Sequence, residues 1–200
     1  VAQAEAEALL ERPFGVSWGQ WVELPPTEAT LLEHARRTAE AQLQAVAQRC
    51  TAEGSTPRLL ALAQQFHLDR TALDILVLCC APAFDTRYER LYGYLQDNVT
   101  RRRPSVRLVL DLLGEPGSAR FALAAYLGDE SPLIRHGLIQ CIVEPAPLTE
   151  HWLNQALLVD ESVIAWLRGA YEPHGLLRGA AALTESTPSA HDHILAGNLA

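Results

Sequence analysis

Residues 137–159 read GLIQCIVEPAPLTEHWLNQALLV, and this stretch decides the architecture. Two short runs rich in Ile, Leu and Val, 137–143 and 155–159, flank a proline-punctuated loop at 145–152. The spacing predicts a two-stranded hairpin with a long tip. Everything upstream of it reads as helix. Helices followed by such a hairpin make the winged-helix plan. The expected fold class is therefore mainly α with a small β wing, helical and winged-helix-like. After the second run, Asp160 caps a further helix through Arg168, and Gly169 is its stop signal.

Upstream, residues 56–80 read TPRLLALAQQFHLDRTALDILVLCC. Thr56-Pro57 is a helix start, with a cap residue followed by proline at the first helical position. Leu59, Leu60, Leu62, Ala63 and Phe66 form its inward face. His67-Leu68-Asp69 makes a tight connection to a second helix over 70–80, so the segment has helix-turn-helix spacing. That second helix is apolar nearly all round and is expected to be buried. A base-reading helix needs an exposed face with Arg, Asn or Gln, and this one lacks it. Pro82 is expected to break the chain.

Residues 86–105 read TRYERLYGYLQDNVTRRRPS. Asp85 caps an amphipathic helix that runs directly into three arginines and a Pro-Ser helix start. Tyr88, Leu91, Tyr92, Leu95 and Val99 recur at helical spacing as a buried stripe. Arg87, Glu89, Arg90, Gln96, Asp97 and Asn98 fall on the other face, and Tyr94 lies off the stripe. Val106, Val109, Leu110 and Leu113 line the next inward face. Residues 114–117 are a turn. Ser118 caps a helix through Leu127, with Phe121 and Ala125 inward, and 128–132 is a loop.

At the start, residues 1–26 read as a lead-in with a short helix near 5–12. Trp18 and Trp21 are expected to pack back onto the domain before Pro25-Pro26. Thr27 is the expected cap of a long helix ending near Ala52, with Gly54 as the stop. Its narrow stripe is Leu32, Ala35, Ala39, Leu43, Val46 and Cys50, which suits docking along a domain or against another helix. The domain reading is 1–55 lead-in and long helix, 56–169 winged-helix-like domain, and 170–200 a linker rich in small and turn residues.

Composition narrows the chemistry. The 200 residues contain no Lys, so there is no phosphate-loop, Schiff-base or catalytic lysine. They also contain no Met, from which we expect a piece of a longer protein. The start has no signal-peptide pattern, and no apolar run is long enough to span a bilayer. A net charge of -8 opposes nonspecific nucleic-acid binding by the domain as a whole. Cys50, Cys79, Cys80 and Cys141 have no zinc-knuckle spacing and read as small hydrophobes of a reduced, cytoplasmic protein. His191-Asp192-His193 lacks a third ligand. No nucleophile elbow or triad pattern is present. No catalytic, cofactor-binding or metal residue is assigned.

The arginine block is the strongest candidate site. Arg87, Arg90, Arg101, Arg102, Arg103 and Arg107 stand against Asp85, Glu89 and Asp97, so residues 85–107 carry +3 in a chain of -8 and the remainder carries -11. Either this is a docking patch for an acidic partner, or the arginines pair locally with Asp97, Asp111 or Glu89 in a solvated turn. Tyr94 is the exposed aromatic candidate beside them, because interfaces favour Tyr and Arg.

Five segments taken in order resemble the N-terminal region of bacterial AAA-family ATPases, some of them associated with contractile injection systems. They are LALAQQF at 60–66, LDILVL at 73–78, YERLYGYLQDNVTRRRPS at 88–105, PLIRHGLIQ at 132–140 and LLVDESVIAWLRG at 157–169. The resemblance covers roughly residues 57–169. It implies a winged-helix-like region before an ATPase module. It also implies ATP and Mg for the full-length protein, and a protein substrate, the protein's own ATPase module or ring neighbours as partners. No G-x-x-x-x-G-K-[ST] occurs here, so no nucleotide contact carries over and this segment is expected to be non-catalytic. The alternative is a winged-helix nucleic-acid-binding regulatory module, which fits the plan and the arginines but conflicts with the acidic total.

Overall fold

The computed structural model describes residues 7, 10, 11, 24–115, 117–142 and 151–170. Trp18, Trp21, the hairpin tip at 143–150, the 171–200 segment and its His191-Asp192-His193 triplet lie outside the described residues. The chain divides into two compact units, Val1–Asp160 and Glu161–Ala200.

In the first unit, α1 (Pro26–Ala52), α2 (Arg58–Gln65), α3 (Arg70–Phe84), α4 (Arg87–Leu95) and α5 (Val106–Leu113) follow one another. A 3-10 helix (Gly117–Leu127), the short α6 (Pro132–Arg135), and strands β1 (Ile139–Ile142) and β2 (Ala156–Val159) complete it. The strands pair antiparallel, with Ile139 opposite Val159 and Ile142 opposite Ala156. The mainly helical body with a small two-stranded wing matches the expected class. Ser105 adds an antiparallel bridge to Ala156, and Leu157 N–H donates to the Pro104 carbonyl at 2.8 Å. The residues just before α5 are thus stitched to the wing. The other compact unit contributes α7 (Glu161–Arg168), which ends at Gly169 with φ of 94°.

The core lies where α3, α5 and the wing meet. Ile75, Leu76, Val106, Val109, Leu110, Leu133, Ile139 and Leu157 are all fully buried. Alternation puts Ile139 inside while Gln140 faces out, as expected for a wing with one buried face. α5 packs most extensively on the 3-10 helix, and α3 packs on β2. The helix pair that leads into the sheet is therefore α5 and the 3-10 helix. The α2–α3 pair read from the sequence forms helix, turn, helix, but it lies further from the wing in the chain. Gly114 allows the turn between α5 and the 3-10 helix, since a Cβ there would collide with the Leu110 carbonyl and the Arg120 side chain.

Several expectations are corrected. Pro82 does not break the chain but sits inside α3. The lost amide leaves one carbonyl, that of Leu78, in need of another donor, and the Tyr92 hydroxyl supplies it at 2.8 Å. α3 is not buried all round, since Val77 is exposed. Pro57 rather than Thr56 takes the cap position of α2, and Leu60 is exposed. α1 begins after Pro25 rather than at a Thr27 cap, and it buries none of its residues, so its stripe is not docked along the domain.

α4 stops at Leu95. Of the expected stripe only Tyr92 is buried, while Tyr88, Leu91, Leu95 and Val99 are exposed. Asp97 adopts φ of 49°, and the Asn98 and Asp97 amides donate back to the Gly93 and Tyr94 carbonyls. This is a Schellman ending, with Asp where glycine is usual. Ser105 caps α5 as expected of a Pro-Ser start, accepting from Leu108 N–H at 3.3 Å. The segment after Ser118 is a 3-10 helix, and Leu127 rather than Phe121 or Ala125 is its buried apolar residue. The expected loop at 128–132 ends one residue early, since Pro132 opens a short helix through Arg135 capped by Ser131.

Candidate docking surface

α4 presents Arg87, Arg90 and Tyr94 at i, i+3 and i+7, which places them on one face. Tyr94 is 81% exposed. Beside this face lies an open concavity of about 470 Å³ lined by Thr86, Arg87, Glu89, Arg90, Val99 and Arg102. Leu91 and Leu95 extend the apolar part, and Val99 is 86% exposed at its rim. The stripe that the sequence suggested would be buried is thus largely a surface.

The loop after α4 is held by one side chain. Gln96 Nε2 donates to the Tyr92 carbonyl at 3.1 Å, to Arg101 at 3.4 Å and to Arg103 at 2.9 Å. Three carbonyl acceptors fix which end of the amide is nitrogen. Gly93 is buried beneath this loop, and a Cβ there would press on the Asn98 carbonyl and Val99 Cα at 3.3 Å. The Asn98 side chain accepts from the Thr100 amide at 3.0 Å and its hydroxyl at 2.6 Å. The arginine run therefore starts from a braced loop. Gln96 was placed on the solvent side in the sequence, and nothing in the local pattern marks a glutamine that spans three carbonyls.

The candidate arginines separate into groups. Arg87 pairs with Asp85 at 2.5 Å and holds its carboxyl below the usual carboxylate range. The cap position of α4 is Thr86 rather than the expected Asp85, but Asp85 Oδ1, one residue before it, accepts the Arg87 amide at 2.9 Å. Arg102 reaches Glu89 at 3.7 Å, a long and exposed pair. Arg101 is half-buried and turns toward the wing, donating to the Asn154 carbonyl at 3.3 Å. Arg101 and Arg103 border a small cleft with Gln96, Ser105, Asn154 and Ala156. Arg107 stands apart, exposed on α5. Arg90, Arg103 and Arg107 make no ion pair among the described residues. The structure brings Arg87, Arg90 and Arg102 together with Tyr94 nearby on the same helix. It gives Arg101 a role in tying the loop to the wing, and Asn154, its partner, had no signal in the sequence.

The position that reads bases in helix-turn-helix proteins is the second helix of the pair. Here that is the 3-10 helix with the turn and α6 that follow it. Residues 117–135 carry Arg120 and Arg135 against Asp129 and Glu130, so their charges cancel. The Arg120 side chain is only 14% exposed and pairs with Asp111. The 143–151 segment joining the strands, VEPAPLTEH, has two glutamates and no arginine. The positive charge of the arginine block is thus carried by α4 and its loop, while neither of these two segments has a net positive charge.

A family model described as winged helix domain, variant, matches residues 2–179. No curated protein and no solved structure matches the chain.

Proposed function

The chain belongs to this winged-helix domain variant family, and we propose that it serves as a non-catalytic protein-docking module. In this reading it recruits or orients a protein partner for an AAA-type ATPase in the cytoplasm, or joins neighbours in the ATPase ring. The observation that carries the reading is the exposed face of α4. Tyr94, Leu91, Leu95 and Val99 offer apolar area, and Arg87, Arg90 and Arg102 surround it with positive charge. Aromatic residues and arginine are the types enriched at the energetic centres of protein interfaces. The positive rim selects an acidic partner surface.

By the resemblance, ATP hydrolysis with Mg belongs to a separate module. The residues here do not suit that chemistry. There is no lysine and no phosphate loop, and among the described residues no group of three His, Cys, Asp or Glu is placed to hold a metal. No step through nucleotide is derived for this chain. Among the described residues, no helix is long and apolar enough to cross a membrane.

The winged-helix architecture itself favours a second reading, a nucleic-acid-binding regulatory module. The two separate on one comparison. The chain is titrated with the ATPase module of its own full-length protein and, in parallel, with a short DNA duplex at low and physiological salt. Docking predicts saturable binding to the module that weakens when Tyr94→Ala and Arg90→Ala are combined. Saturable DNA binding with a steep salt dependence, and none to the module, would replace it with the second reading.

A further inference from the structure

α1 is 27 residues long and buries none of them. Its apolar stripe is nonetheless ordered. Leu32 and Val46 lie seven residues on either side of Ala39, and Ala35 and Leu43 lie four on either side. From Leu32 to Val46 the stripe is a palindrome about Ala39, and only its last member, Cys50, has no apolar counterpart, since its mirror position is Glu28. Leu32 is 58%, Leu43 69% and Val46 42% exposed, so the described residues of the domain cover little of it.

We propose that α1 is a self-association helix, and that two copies of this chain pair antiparallel along this stripe with the two-fold axis at Ala39. In that arrangement Leu32 meets Val46 of the other copy, Ala35 meets its Leu43, and Ala39 meets Ala39. Each large residue faces a small or β-branched one, and alanine at the centre lets the axes approach to about 8 Å. A two-fold interface requires such self-complementarity.

The charges select the same register. At 1.5 Å per residue, Arg36 of one copy and Glu40 of the other fall about 3 Å apart along the axis, on the same flank, so that the two arginines bracket the two Glu40 carboxylates, which lie about 3 Å apart along the axis across the dyad. Glu28 and Arg49 of the other copy are offset by about 1.5 Å at the ends. Symmetry doubles both pairs. Within one chain Arg36 already bonds Glu40 at 2.6 Å and Glu33 at 2.9 Å, so pairing joins two preformed charge clusters. A parallel pair brings together neither combination. The occupant that fits the stripe in both shape and charge is therefore a second copy, independently of what docks on α4.

Sedimentation of the 200-residue chain across a concentration series tests this. A monomer–dimer equilibrium is expected. Ala39→Glu sets two carboxylates face to face and should weaken it by about tenfold or more. Helix content should stay unchanged, because the site is exposed and Glu is a good helix former. Ala39→Cys in a Cys50→Ser background should oxidise to a covalent dimer. Wild-type Cys50 should not, since two antiparallel copies hold it about 33 Å apart. A chain that stays monomeric, a dimer indifferent to Ala39→Glu, or ready disulfide formation through Cys50 would each overturn the proposal.

Discussion

The Tyr92 hydroxyl lies 2.8 Å from the Leu78 carbonyl oxygen and donates the hydrogen bond that Pro82 is unable to give. Leu78 is four residues before Pro82, so its carbonyl would ordinarily accept the residue-82 amide of α3. Tyr92 is 2% exposed, and burial pushes its phenol well above the usual range, so the donor stays protonated. One side chain of α4 thus completes the helix before it and fixes how the two helices meet.

Removing the hydroxyl should therefore expose the cost of the proline. Tyr92→Phe leaves a half-buried carbonyl bare and is expected to lower stability by about 1–3 kcal/mol. In a Pro82→Ala background residue 82 regains its amide, and the same Tyr92→Phe change should then cost under about 1 kcal/mol. Chemical denaturation of the four proteins in this cycle measures the coupling. Additive effects would show that the carbonyl is satisfied in another way.

Gln96 should behave as a brace rather than a surface residue. Its amide nitrogen meets three carbonyls, so Gln96→Glu would point a carboxylate at three acceptors. That variant is expected to lose about 1–3 kcal/mol of stability, because it removes the donor at a part-buried site and sets oxygen against oxygen. Amide exchange of residues 97–103 should rise with it. Unchanged stability and exchange would mean that the loop is held by Asn98 alone.

What was legible in the sequence follows from how local each signal is. Four Schellman endings show the contrast. Gly54 and Gly169 mark the ends of α1 and α7 because glycine advertises the left-handed conformation. His67 and Asp97 adopt the same conformation at the ends of α2 and α4, with φ of 52° and 49°, and carry no such mark. The helical pattern accordingly runs on past Leu95, where α4 ends, and puts Val99 in a stripe it never joins. Ser105 and the wing strands were readable from cap chemistry and β-branched runs. Pro82 looks like a break in the local pattern because the donor that compensates for it, Tyr92, comes from ten residues further on. At the candidate site, the positive charge and the exposed Tyr94 were readable from composition and helical phase. The division of the arginines is readable only in part: Glu89 is one of the expected local partners and meets Arg102, but the contact of Arg101 to Asn154 crosses more than fifty residues of chain.

Asp69 gives stability a dependence on pH at both ends. Its Oδ1 caps α3 by accepting from Ala72 N–H at 2.8 Å, and its Oδ2 accepts from the Tyr126 hydroxyl at 2.6 Å. The Ala72 amide, then Tyr126, hold its carboxyl below the ordinary range. A depressed carboxyl contributes stability that is present above about pH 4 and is lost as pH falls through the folded value. Tyr126 is shifted upward by the adjacent Asp69, so its contribution is present below about pH 10 and is lost as pH rises beyond that. Tyr126→Phe should flatten the alkaline limb and shrink the acid limb, leaving the part due to the Ala72 amide. Melting temperature against pH for the wild type, Tyr126→Phe and Asp69→Asn would reveal this. Identical alkaline limbs in wild type and Tyr126→Phe would rule out a bond between α3 and the 3-10 helix.

The three consecutive arginines should part company under substitution. Arg101 is half-buried, and its guanidinium donates to the Asn154 carbonyl, so Arg101→Ala removes a link between the loop and the wing. It is expected to cost about 1 kcal/mol, at the low end for a charged donor because the site is partly solvated. Arg102 keeps 70% of its side chain exposed and reaches Glu89 only at 3.7 Å, and Arg103 offers its backbone carbonyl, not its side chain, to Gln96. Arg102→Ala and Arg103→Ala should leave thermal stability nearly unchanged, since exposed pairs contribute about 0–1 kcal/mol. Binding should follow a different order. Arg102 lines the concavity with Arg87 and Arg90, so Arg102→Ala should weaken the partner more than Arg103→Ala does. The loss should shrink at higher salt, because exposed charges are screened over about 10 Å at 0.1 M. Melting temperature and partner affinity measured together for the three single variants decide it. Equal destabilisation by all three with unchanged affinity would make the run a structural clamp and remove the docking role from it.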